Sequence, residues 1–549
     1  MPAFTNAQGT SIKEYPKNWY QLDKTETGYY GISLDKAYQL VKNRKSKTVL
    51  VAVIDNGIDT LHEDLKSRLW KNPGEIPGNG KDDDLNGYVD DIYGWNFIGG
   101  KDGRNVYDDA SEEARIYYKL KAKYGNTVPD PASVNPEERA EVEMYRKAKE
   151  KVVGIDDGGI DLIFYKRIQV TLHKNDSILK VAMNKTLYTG NELDNFEPRQ
   201  FEAVKAKSSL LGIMKVGNNL EQTNKAFLDE LDDFIGGEER KEESKTNPPR
   251  AYRAEIVQDD ETNINDRFYG NNDVMAGTPI HGTHTSGIIA AIRNNGVGMD
   301  GIADNVKIMM IRVIPNGDEH DKDIALAIRY AVDNGAQIIN MSFGKEYSPE
   351  KLWVDDAVRY ADSKGVLLVL AAGNDHKNID LGDNFPNPDY LDGKGRASNF
   401  ITVGASGDPT NGGVAATFSN YGKKEVDIFA PGVRIYSTIA GGNTYGKEDG
   451  TSMAAPVVAG TAAFLLSYFP ELSAKQLKMI IEKSATHLVE KVKLPGTEDL
   501  VTLSDISKSG GIVNVYEAAK LAQTVKGERK VVKLPVIKPT PKIVKKKKG

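Results

Sequence analysis

At 549 residues, this chain exceeds what one hydrophobic core usually supports, and we expect one large domain with additions, or two domains. Its 39% apolar and 27% charged residues are typical of globular proteins, and because no apolar run approaches the roughly 20 residues of a membrane span we expect no transmembrane segment. The absence of cysteine excludes disulfides, thiolate metal sites and a cysteine nucleophile.

The N-terminal residues 1–47 read as an arm that packs on the following domain, with a short helix within 31–43. Continuous apolar, β-branched runs follow, as in strands buried on both faces, at 48–54, 306–314, 336–343 and 365–372. Helical patterns at 321–334 and 349–364 separate the later runs, and each ends at a glycine. This alternation indicates right-handed crossovers, and therefore an α/β fold with a doubly wound, mostly parallel sheet and helices on both faces.

Residues 104–270 have a different composition, rich in Glu, Lys and Arg. Most of this stretch has helical patterns, whereas 157–190 resembles short strands and turns. We interpret 104–270 as an inserted, mainly helical subdomain that divides the core into 48–103 and 271–525.

The C-terminal residues 526–549 carry ten Lys or Arg and one Glu, a local charge of +9 that leaves −15 on the rest of the chain. Their Pro and Lys content favours an unfolded, basic tail. Such a tail could contact nucleic acid or an acidic surface, although a solvated terminus is the simpler interpretation. Because interleaved aromatics and a recognisable reading module are missing, we expect no nucleic-acid binding.

Three short motifs carry side chains with the chemistry of acyl transfer. "VIDNGID" (53–59) ends a strand with Asp55, "HGTHTSGIIAA" (281–291) begins a helix with His281, and "GTSMAAP" (450–456) begins another with Ser452. A serine at a helix start is usually a cap, but a nucleophilic serine needs such a base and such a carboxylate. The positive end of the helix dipole should keep His281 neutral, as a base must be.

A fourth motif, "LAAGND" (370–375), supplies an amide just after a strand end. Asn374 and the N–H of Ser452 would both reach the oxyanion that develops in acyl transfer.

Together these motifs resemble the subtilisin-like serine proteases, the subtilases. The resemblance covers about 48–103 and 271–485 and rests on "HGTH", "AAGN" and "GTSMAAP" in one order. It implies a serine endopeptidase that hydrolyses peptide bonds in extended segments of protein or peptide substrates through an acyl-enzyme. In that enzyme Asp55 orients, His281 is base and then acid, Ser452 attacks, and Asn374 stabilises the oxyanion.

The same resemblance implies where the substrate binds. In "NMSFG" (340–344), Ser342, Phe343 and Gly344 would pair with an extended peptide backbone. The opposite wall of the pocket for the residue before the cut would be formed by Ala371, Ala372 and Gly373.

Two features depart from the family pattern. Asn56 follows the catalytic Asp where the family usually has Ser or Thr, which should alter the bonding around the triad without abolishing function. The spacing of 226 positions between Asp55 and His281 is unusually long because of the insertion, which emerges beside the active-site edge. A lid or substrate-selecting role and a tolerated surface insertion are equally open.

The acidic loop "DDDLNGYVDD" (82–91) has the front spacing of an EF-hand-type calcium site. Its twelfth position is Tyr93, so the usual bidentate Glu is missing, and Asp91 or a distant residue would have to replace it. We predict structural calcium here, with a solvated acidic loop as the alternative. The predicted ligands are Asp82, Asp84, Asn86, the Tyr88 carbonyl, Asp90 and Asp91.

A weaker calcium candidate follows from the resemblance alone, with Asp64 and the loop 294–298 at matching positions. His284 lies three residues after His281, but without a zinc-binding partner motif we interpret it as a packed structural residue.

The resemblance further implies a protein of the cell envelope or the exterior, with an export signal absent from this chain; a cytoplasmic location is the alternative. We expect a monomer without an organic cofactor. The competing function is a scaffold that works through the insertion or the tail, against which the intact set of catalytic residues speaks.

Overall fold

A computed structural model describes residues 15–135, 138–154, 161–217 and 220–529. Residues 1–14 of the predicted arm and 530–549 of the predicted basic tail lie outside the described residues. The strands are β1 (Val49–Asp55), β2 (Gly94–Asn96), β3 (Val306–Arg312), β4 (Ile338–Met341), β5 (Leu367–Ala371), β6 (Phe400–Asp408), β7 (Asn411–Ala415), β8 (Ile428–Pro431), β9 (Ile435–Ile439), β10 (Thr444–Glu448), β11 (Thr486–His487), β12 (Val492–Lys493), β13 (Leu500–Val501) and β14 (Gly511–Ile512).

The helices alternate with these strands in the core and follow one another in the insertion. They are α1 (Lys24–Thr27), α2 (Leu34–Val41), α3 (Glu112–Tyr124), α4 (Arg139–Val153), α5 (Leu162–Met183), α6 (Gly190–Asn195), α7 (Phe201–Val216), α8 (Asn224–Ser244), α9 (Tyr252–Ile256), α10 (Ile280–Ala290), α11 (Asp321–Asp333), α12 (Lys351–Lys364), α13 (Thr451–Tyr468), α14 (Ala474–Lys483), α15 (Leu503–Ile506) and α16 (Val515–Ala522), with 3₁₀ turns at Trp19–Gln21 and Pro131–Ser133.

The core is built on a ten-stranded sheet in the order β11-β14-β8-β6-β5-β4-β1-β3-β2, with β7 paired to β6. All neighbours from β8 to β2 along this order are parallel, and only the β11–β14 and β6–β7 pairs in the sheet are antiparallel. The predicted doubly wound, mostly parallel sheet is therefore confirmed.

Side chains of β1 alternate between the two faces of the sheet, as the pleat requires. Val51 and Val53 join the apolar layer that contains α10 and α13, while Ala52 and Ile54 join the layer that contains α11 and α12. Both faces of β1 are thus covered by helices, which explains why its sequence is continuously apolar.

Parallel strands bring their carboxyl ends to one edge of the sheet, where sites form in folds of this class. β5, β4 and β1 are neighbours, and they end next to Asn374, Ser342 and Asp55 respectively. This edge therefore collects the residues that the motifs single out.

Residues 15–47 of the predicted N-terminal arm pack on the core. Its helix α2 lies within the predicted range, and Trp19 is fully buried, with its indole Nε1 donating to the Val433 carbonyl at 3.2 Å.

Most of the described residues of 104–270 are helical, and the chain leaves and re-enters the core at one place. Asn96 and Asn271 exchange both backbone hydrogen bonds, at 2.9 and 3.0 Å. The helices bury two separate apolar clusters, one under α3 and α4 and one among α5, α7 and α8. Residues 104–270 thus bury apolar clusters separate from those around the large sheet.

The expectation of short strands within 157–190 is wrong, because α5 is a single helix of 22 residues. Its buried positions Leu172, Asp176 and Leu179 follow helical spacing. The helix begins at Asp161, whose carboxylate accepts from the Phe164 N–H at 3.0 Å, and ends at Asn184 in the left-handed conformation. The many β-branched residues masked this periodicity.

In the described part of the chain, α13 is the helix long and apolar enough to cross a membrane, and 94% of it is buried inside the protein. It runs through the middle of the core and carries Ser452 near its start. Pro456 stands inside this helix.

Candidate active site

Asp55 and His281 form a hydrogen-bonded pair, although 226 positions separate them. His281 Nδ1 lies 2.7 Å from Asp55 Oδ1. The Asp55 side chain is 2% exposed and the imidazole 36% exposed, so the carboxylate is buried behind a ring that reaches the surface. Asp55 also accepts from the Asn56 N–H at 2.7 Å and from Thr285 Oγ1 at 3.3 Å. These contacts fix the carboxylate and, through it, the ring.

The local sequence explains how the two residues meet. A Cβ at position 282 would lie 2.0 Å from the Gly57 carbonyl oxygen. Only glycine at this position therefore allows α10 to approach the loop after β1. Asn56 then joins the two segments, since its Oδ1 accepts from the Gly282 N–H at 2.9 Å. Asn56, the departure from the family pattern, therefore ties the start of α10 to the end of β1.

The pKa of His281 lies above its ordinary value of 6.5. Burial of the ring lowers the pKa, but the charge and hydrogen bond of Asp55 outweigh burial, and the charge of Glu448 adds to them. The carboxylate in contact with the ring therefore outweighs the partial charge at the helix end, which was expected to lower the pKa of His281.

Ser452 is the second residue of α13 and is half-buried. Its Oγ donates to the Ser342 carbonyl at 3.0 Å, and Ser342 Oγ donates in return to the Ser452 carbonyl at 2.8 Å. Among the described residues no hydrogen bond joins Ser452 to His281. The two serines are thus held together at the end of β4.

Asn374 is anchored by one end of its amide. Its Oδ1 accepts from both the backbone N–H and the Oγ1 of Thr451, each at 2.9 Å. The Nδ2 group lies beside Gly450, 3.6 Å from where a Cβ of that residue would stand. The donor end of the amide therefore lies at the turn that leads into Ser452.

The predicted substrate segment is an open edge after β4. Ser342 is buried, Phe343 is half-buried and Gly344 is exposed. No backbone hydrogen bond engages Phe343 or Gly344 within the described ranges. This edge is free to pair with an extended strand.

The predicted pocket wall lies at the end of β5, next to the start of α13. Ala371 and Ala372 are buried, and the Gly373 N–H donates to Thr451 Oγ1 at 3.0 Å. Gly373 has φ +98°, a conformation that favours glycine.

His284 is fully buried, and its Nε2 lies 3.3 Å from the Gly446 carbonyl. Burial and the neighbouring His281 lower its pKa to about 3, so the ring is neutral. This environment agrees with a packed structural residue.

The acidic loop brings only part of the predicted calcium set together. Oxygens of Asp82, Asp84 and Glu75 lie within 4.8 Å of one another. Asp90 accepts instead from the N–H groups of Gly78, Asn79 and Gly80. The cluster therefore contains the first two predicted ligands, Asp82 and Asp84, together with Glu75, which the sequence pattern did not include.

The other predicted ligands of this loop have protein partners. Asp91 accepts from the Asn72 amide at 2.6 Å and from the Tyr330 hydroxyl at 2.5 Å. The Asn86 amide donates to Asp84 and Asp91, and the Tyr88 ring is buried against aromatic neighbours. Burial raises the pKa of Asp91 to about 6. Asp91 thus lies beneath the loop.

Glu75 was missed by the sequence reasoning because it lies seven positions before the acidic run. It is 8% exposed; its Oε1 accepts from the Asp83 and Asp84 N–H groups, while its buried Oε2 has no partner in the described part of the chain. A buried carboxylate oxygen without a donor, on a residue clustered with two further carboxylates, fits a hard cation such as Ca²⁺.

The second calcium candidate also meets its loop. Asp64 is fully buried; its Oδ1 accepts from the Asn295 amide at 2.6 Å. Its Oδ2 lies 3.3 Å from the Tyr445 hydroxyl. Burial raises the pKa of Asp64.

Fold and site together define a class: α/β proteins that hold a serine, a histidine and an aspartate at the carboxyl edge of a parallel sheet. A comparison with known protein families identifies the family of this chain. The model of the subtilase family matches residues 46–500. The chain therefore belongs to the subtilase family.

Curated relatives agree with this assignment. The thermophilic serine proteinase of Bacillus sp. strain AK1 is 44% identical over 188 residues, 34% of this chain and 42% of that protein. The thermostable alkaline protease of Halalkalibacterium halodurans is 38% identical over 209 residues, 38% of this chain and 53% of that protein. Thermitase of Thermoactinomyces vulgaris is 39% identical over 255 residues, 46% of this chain and 79% of thermitase. The chain thus spans about half the length of the first two.

Proposed function

We propose that this chain is a serine endopeptidase that hydrolyses peptide bonds in extended segments of protein substrates. The observation that carries the proposal is the 2.7 Å pair of Asp55 and His281 at the sheet edge where α13 presents Ser452. Membership of the subtilase family and the printed names of the relatives, which are proteinases and proteases, support it.

The pair of Asp55 and His281 sets up the first proton transfer. Because Nδ1 is engaged by the carboxylate, Nε2 is the nitrogen that accepts a proton. Ser452 Oγ turns from the Ser342 carbonyl toward His281 Nε2, gives up its proton and attacks the scissile carbonyl carbon. Asp55 stabilises the imidazolium that forms, in keeping with the raised pKa of His281.

The oxyanion of the tetrahedral intermediate is held by the Asn374 Nδ2 and the Ser452 N–H. Anchoring of Asn374 Oδ1 by Thr451 preorganises the donor, which costs no rearrangement during the reaction. His281 then protonates the leaving amine, and water hydrolyses the acyl-enzyme by the same steps in reverse.

The substrate backbone pairs with the open edge at Phe343 and Gly344, and the side chain before the cut lies against Ala371–Gly373. Because the backbone N–H and C=O groups of Phe343 and Gly344 make no hydrogen bond within the described ranges, they can serve as donors and acceptors for this pairing.

The test is the intact mass of the protein after treatment with a fluorophosphonate. We expect one stoichiometric adduct on the folded wild type, and none on Ser452→Ala or on the heat-unfolded wild type. Cleavage of casein should follow the same pattern. A folded wild type without an adduct, in buffer with calcium, would contradict the proposal.

We also propose that the loop of Glu75, Asp82 and Asp84 binds structural calcium. The cation would satisfy the unpartnered Glu75 Oε2 and offset the repulsion of three carboxylates. Calcium at 100 times its Kd should stabilise the fold by about 2.7 kcal/mol.

Thermal unfolding with and without calcium tests this site. Glu75→Gln should remove most of the calcium-dependent rise in Tm, whereas Asp83→Asn, in the same loop but outside the cluster, should keep it. An equal response of both variants would contradict the site.

A location in the cell envelope or the exterior stays a prediction, which cell fractionation tests.

A further inference from the structure

The insertion contacts the element that carries the catalytic histidine. Ala226 of α8 shares an apolar cluster with Ile280, the residue before His281, and with Ile439 and Ala440 of the hairpin β9–β10. Lys225 Nζ donates to Thr278 Oγ1 at 2.7 Å in the loop that leads into α10. The start of α8 is therefore packed beside the active site.

Two carboxyl groups meet across this contact. Glu448 ends β10 four positions before Ser452, and its charge acts on His281. Glu230 comes from α8. The Gln222 Nε2 donates to both, at 3.1 and 3.2 Å to the oxygens of Glu230 and at 3.1 Å to Glu448. The two carboxyl groups therefore lie close enough to share one amide.

Among the described residues, no lysine or arginine balances this pair. In the part of the chain that the structure describes, neither Glu230 nor Glu448 forms an ion pair with Lys or Arg, although both are half-buried. Like charges from Asp229 and Asp233 reach Glu230, and Asp449 reaches Glu448. Burial and the neighbouring carboxyls raise the pKa of Glu230 to about 8, and burial raises that of Glu448 to about 7.

A third acceptor lies in the same place. Gln222 is 2% exposed, and its Oε1 is buried without a hydrogen-bond partner among the described residues. An unsatisfied buried carbonyl is costly, and two carboxylates beside it make a donor cation the natural complement. Lysine ammonium has three N–H donors and arginine guanidinium has five, enough to satisfy all three groups.

His281 indicates on which side of the scissile bond Glu230, Glu448 and Gln222 lie. The ends of β4 and β5 lie on the acyl side, where the proposed substrate strand and pocket wall are. His281 returns its proton to the leaving amine, so groups beside its ring face the part of the substrate that follows the cut.

We propose that Glu230, Glu448 and Gln222 form a subsite that receives a lysine or arginine side chain from the substrate residues just after the scissile bond. The inference rests on the proposed peptidase function and adds a role for the insertion, which supplies two of the three groups. The insertion is then a specificity-determining part of the cleft.

The test uses quenched-fluorescent peptides that differ only in the two positions after the cut: arginine, its neutral isostere citrulline, or glutamate. We expect the wild type to cleave the arginine peptide with a kcat/KM at least tenfold above that of the citrulline peptide, and to cleave the glutamate peptide least. Glu230→Gln should lower the arginine-to-citrulline ratio about tenfold. Glu202→Gln, an exposed carboxylate on α7, should leave the ratio unchanged.

Fluorophosphonate labelling of each variant separates the two proposals. An unlabelled wild type would contradict the peptidase function itself. If the wild type and Glu230→Gln are both labelled but have the same arginine-to-citrulline ratio of kcat/KM, the subsite alone is overturned. A calcium-dependent Tm that Glu230→Gln abolishes, without any arginine preference, would show that the three groups bind a metal ion and would also overturn the subsite.

Discussion

The helices of the catalytic core and those of the insertion are built on opposite plans. In α10 every residue except His281 is buried, and in α13 every residue except Ser452. Helix α4 buries only Val142, Tyr145, Ala148 and Val152, one face of fifteen residues. A helix that is buried on all sides must be assembled from small and apolar residues, whereas a one-sided helix tolerates almost any polar residue on its outer face.

The two regions are joined by buried charges as well as by apolar contacts. Lys345, whose side chain is 2% exposed, lies 2.6 Å from Glu112 of α3 and 3.0 Å from Asp321 of the core. Arg253 of α9 forms ion pairs with Asp259 and with Asp323. Such pairs fix how two surfaces dock, since a misplaced buried charge is far more costly than a misplaced methyl group. The insertion is therefore held in a defined position beside the cleft.

Among the changes that distinguish the catalytic core from the insertion, the largest effect on activity is expected for a substitution of Asp55. Asp55→Asn should lower kcat by about 10⁴-fold, because the amide no longer stabilises the imidazolium or fixes the tautomer of His281. Tm should change little, and the kinetic pKa of His281 should fall toward 6.5. The measurement is the pH profile of kcat/KM on one peptide, and a loss below tenfold would show that Asp55 does not act on His281.

The sequence allowed the core site to be predicted because its constraints are local. Gly282, Gly373 and Pro456 stand in short motifs, and the strands that end at Asp55, Ser342 and Asn374 are continuous apolar runs. Each motif fixes a backbone conformation at a strand end or a helix start, and the parallel sheet then brings these ends together.

The remaining features depend on contacts distant in sequence. Glu75 meets Asp82 only after a loop has folded, and Asp90 turns to the backbone of 78–80 rather than to the carboxylates. The pairing of Glu230 with Glu448 joins residues 218 positions apart, and no local pattern marks it. Periodicity gave the helices of the insertion but neither the length of α5 nor the docking of α8.

The next largest effect is expected at the junction. Lys345→Met removes the cation between Glu112 and Asp321 and leaves buried carboxylates unpaired, which should cost about 3–5 kcal/mol of unfolding free energy. Lys119→Met, in α3 like Glu112 but in an exposed pair with Glu350, should leave the urea midpoint almost unchanged. Equal midpoints for both variants would mean that the junction is not held by charge.

His320 gives the junction a pH dependence. Its Nε2 lies 3.0 Å from Asp109 and its Nδ1 2.7 Å from Glu261, both from the insertion. Burial and the charge of Arg115 lower its pKa, but the two carboxylates outweigh them, and the pKa lies above 6.5. The protonated ring therefore stabilises the fold fully below about pH 6.5, its ordinary pKa, and this contribution is lost as the pH rises through the higher folded pKa.

His320→Gln should consequently remove part of the fall in unfolding free energy that the wild type shows above pH 6.5. Denaturant titrations of both proteins from pH 5.5 to 8.5 measure this difference. His173→Gln, at an exposed ion pair with Asp232, is the control and should follow the wild type. Parallel curves for the wild type and His320→Gln would exclude the proposed contribution.

The smallest effect tests whether the core tolerates its own departure from the family. Asn56 Oδ1 accepts from the Gly282 N–H near the start of α10, and a serine hydroxyl is also a good acceptor at a helix start. Asn56→Ser should therefore change kcat/KM by less than about threefold, whereas Asn56→Ala leaves that N–H without its acceptor, a cost of about 1 kcal/mol. If the N–H bond positions His281, the alanine variant should lose kcat with KM unchanged, and serine should restore it. Equal kcat values for Asn56→Ala and the wild type would mean that Asp55 and Gly282 suffice to hold the ring.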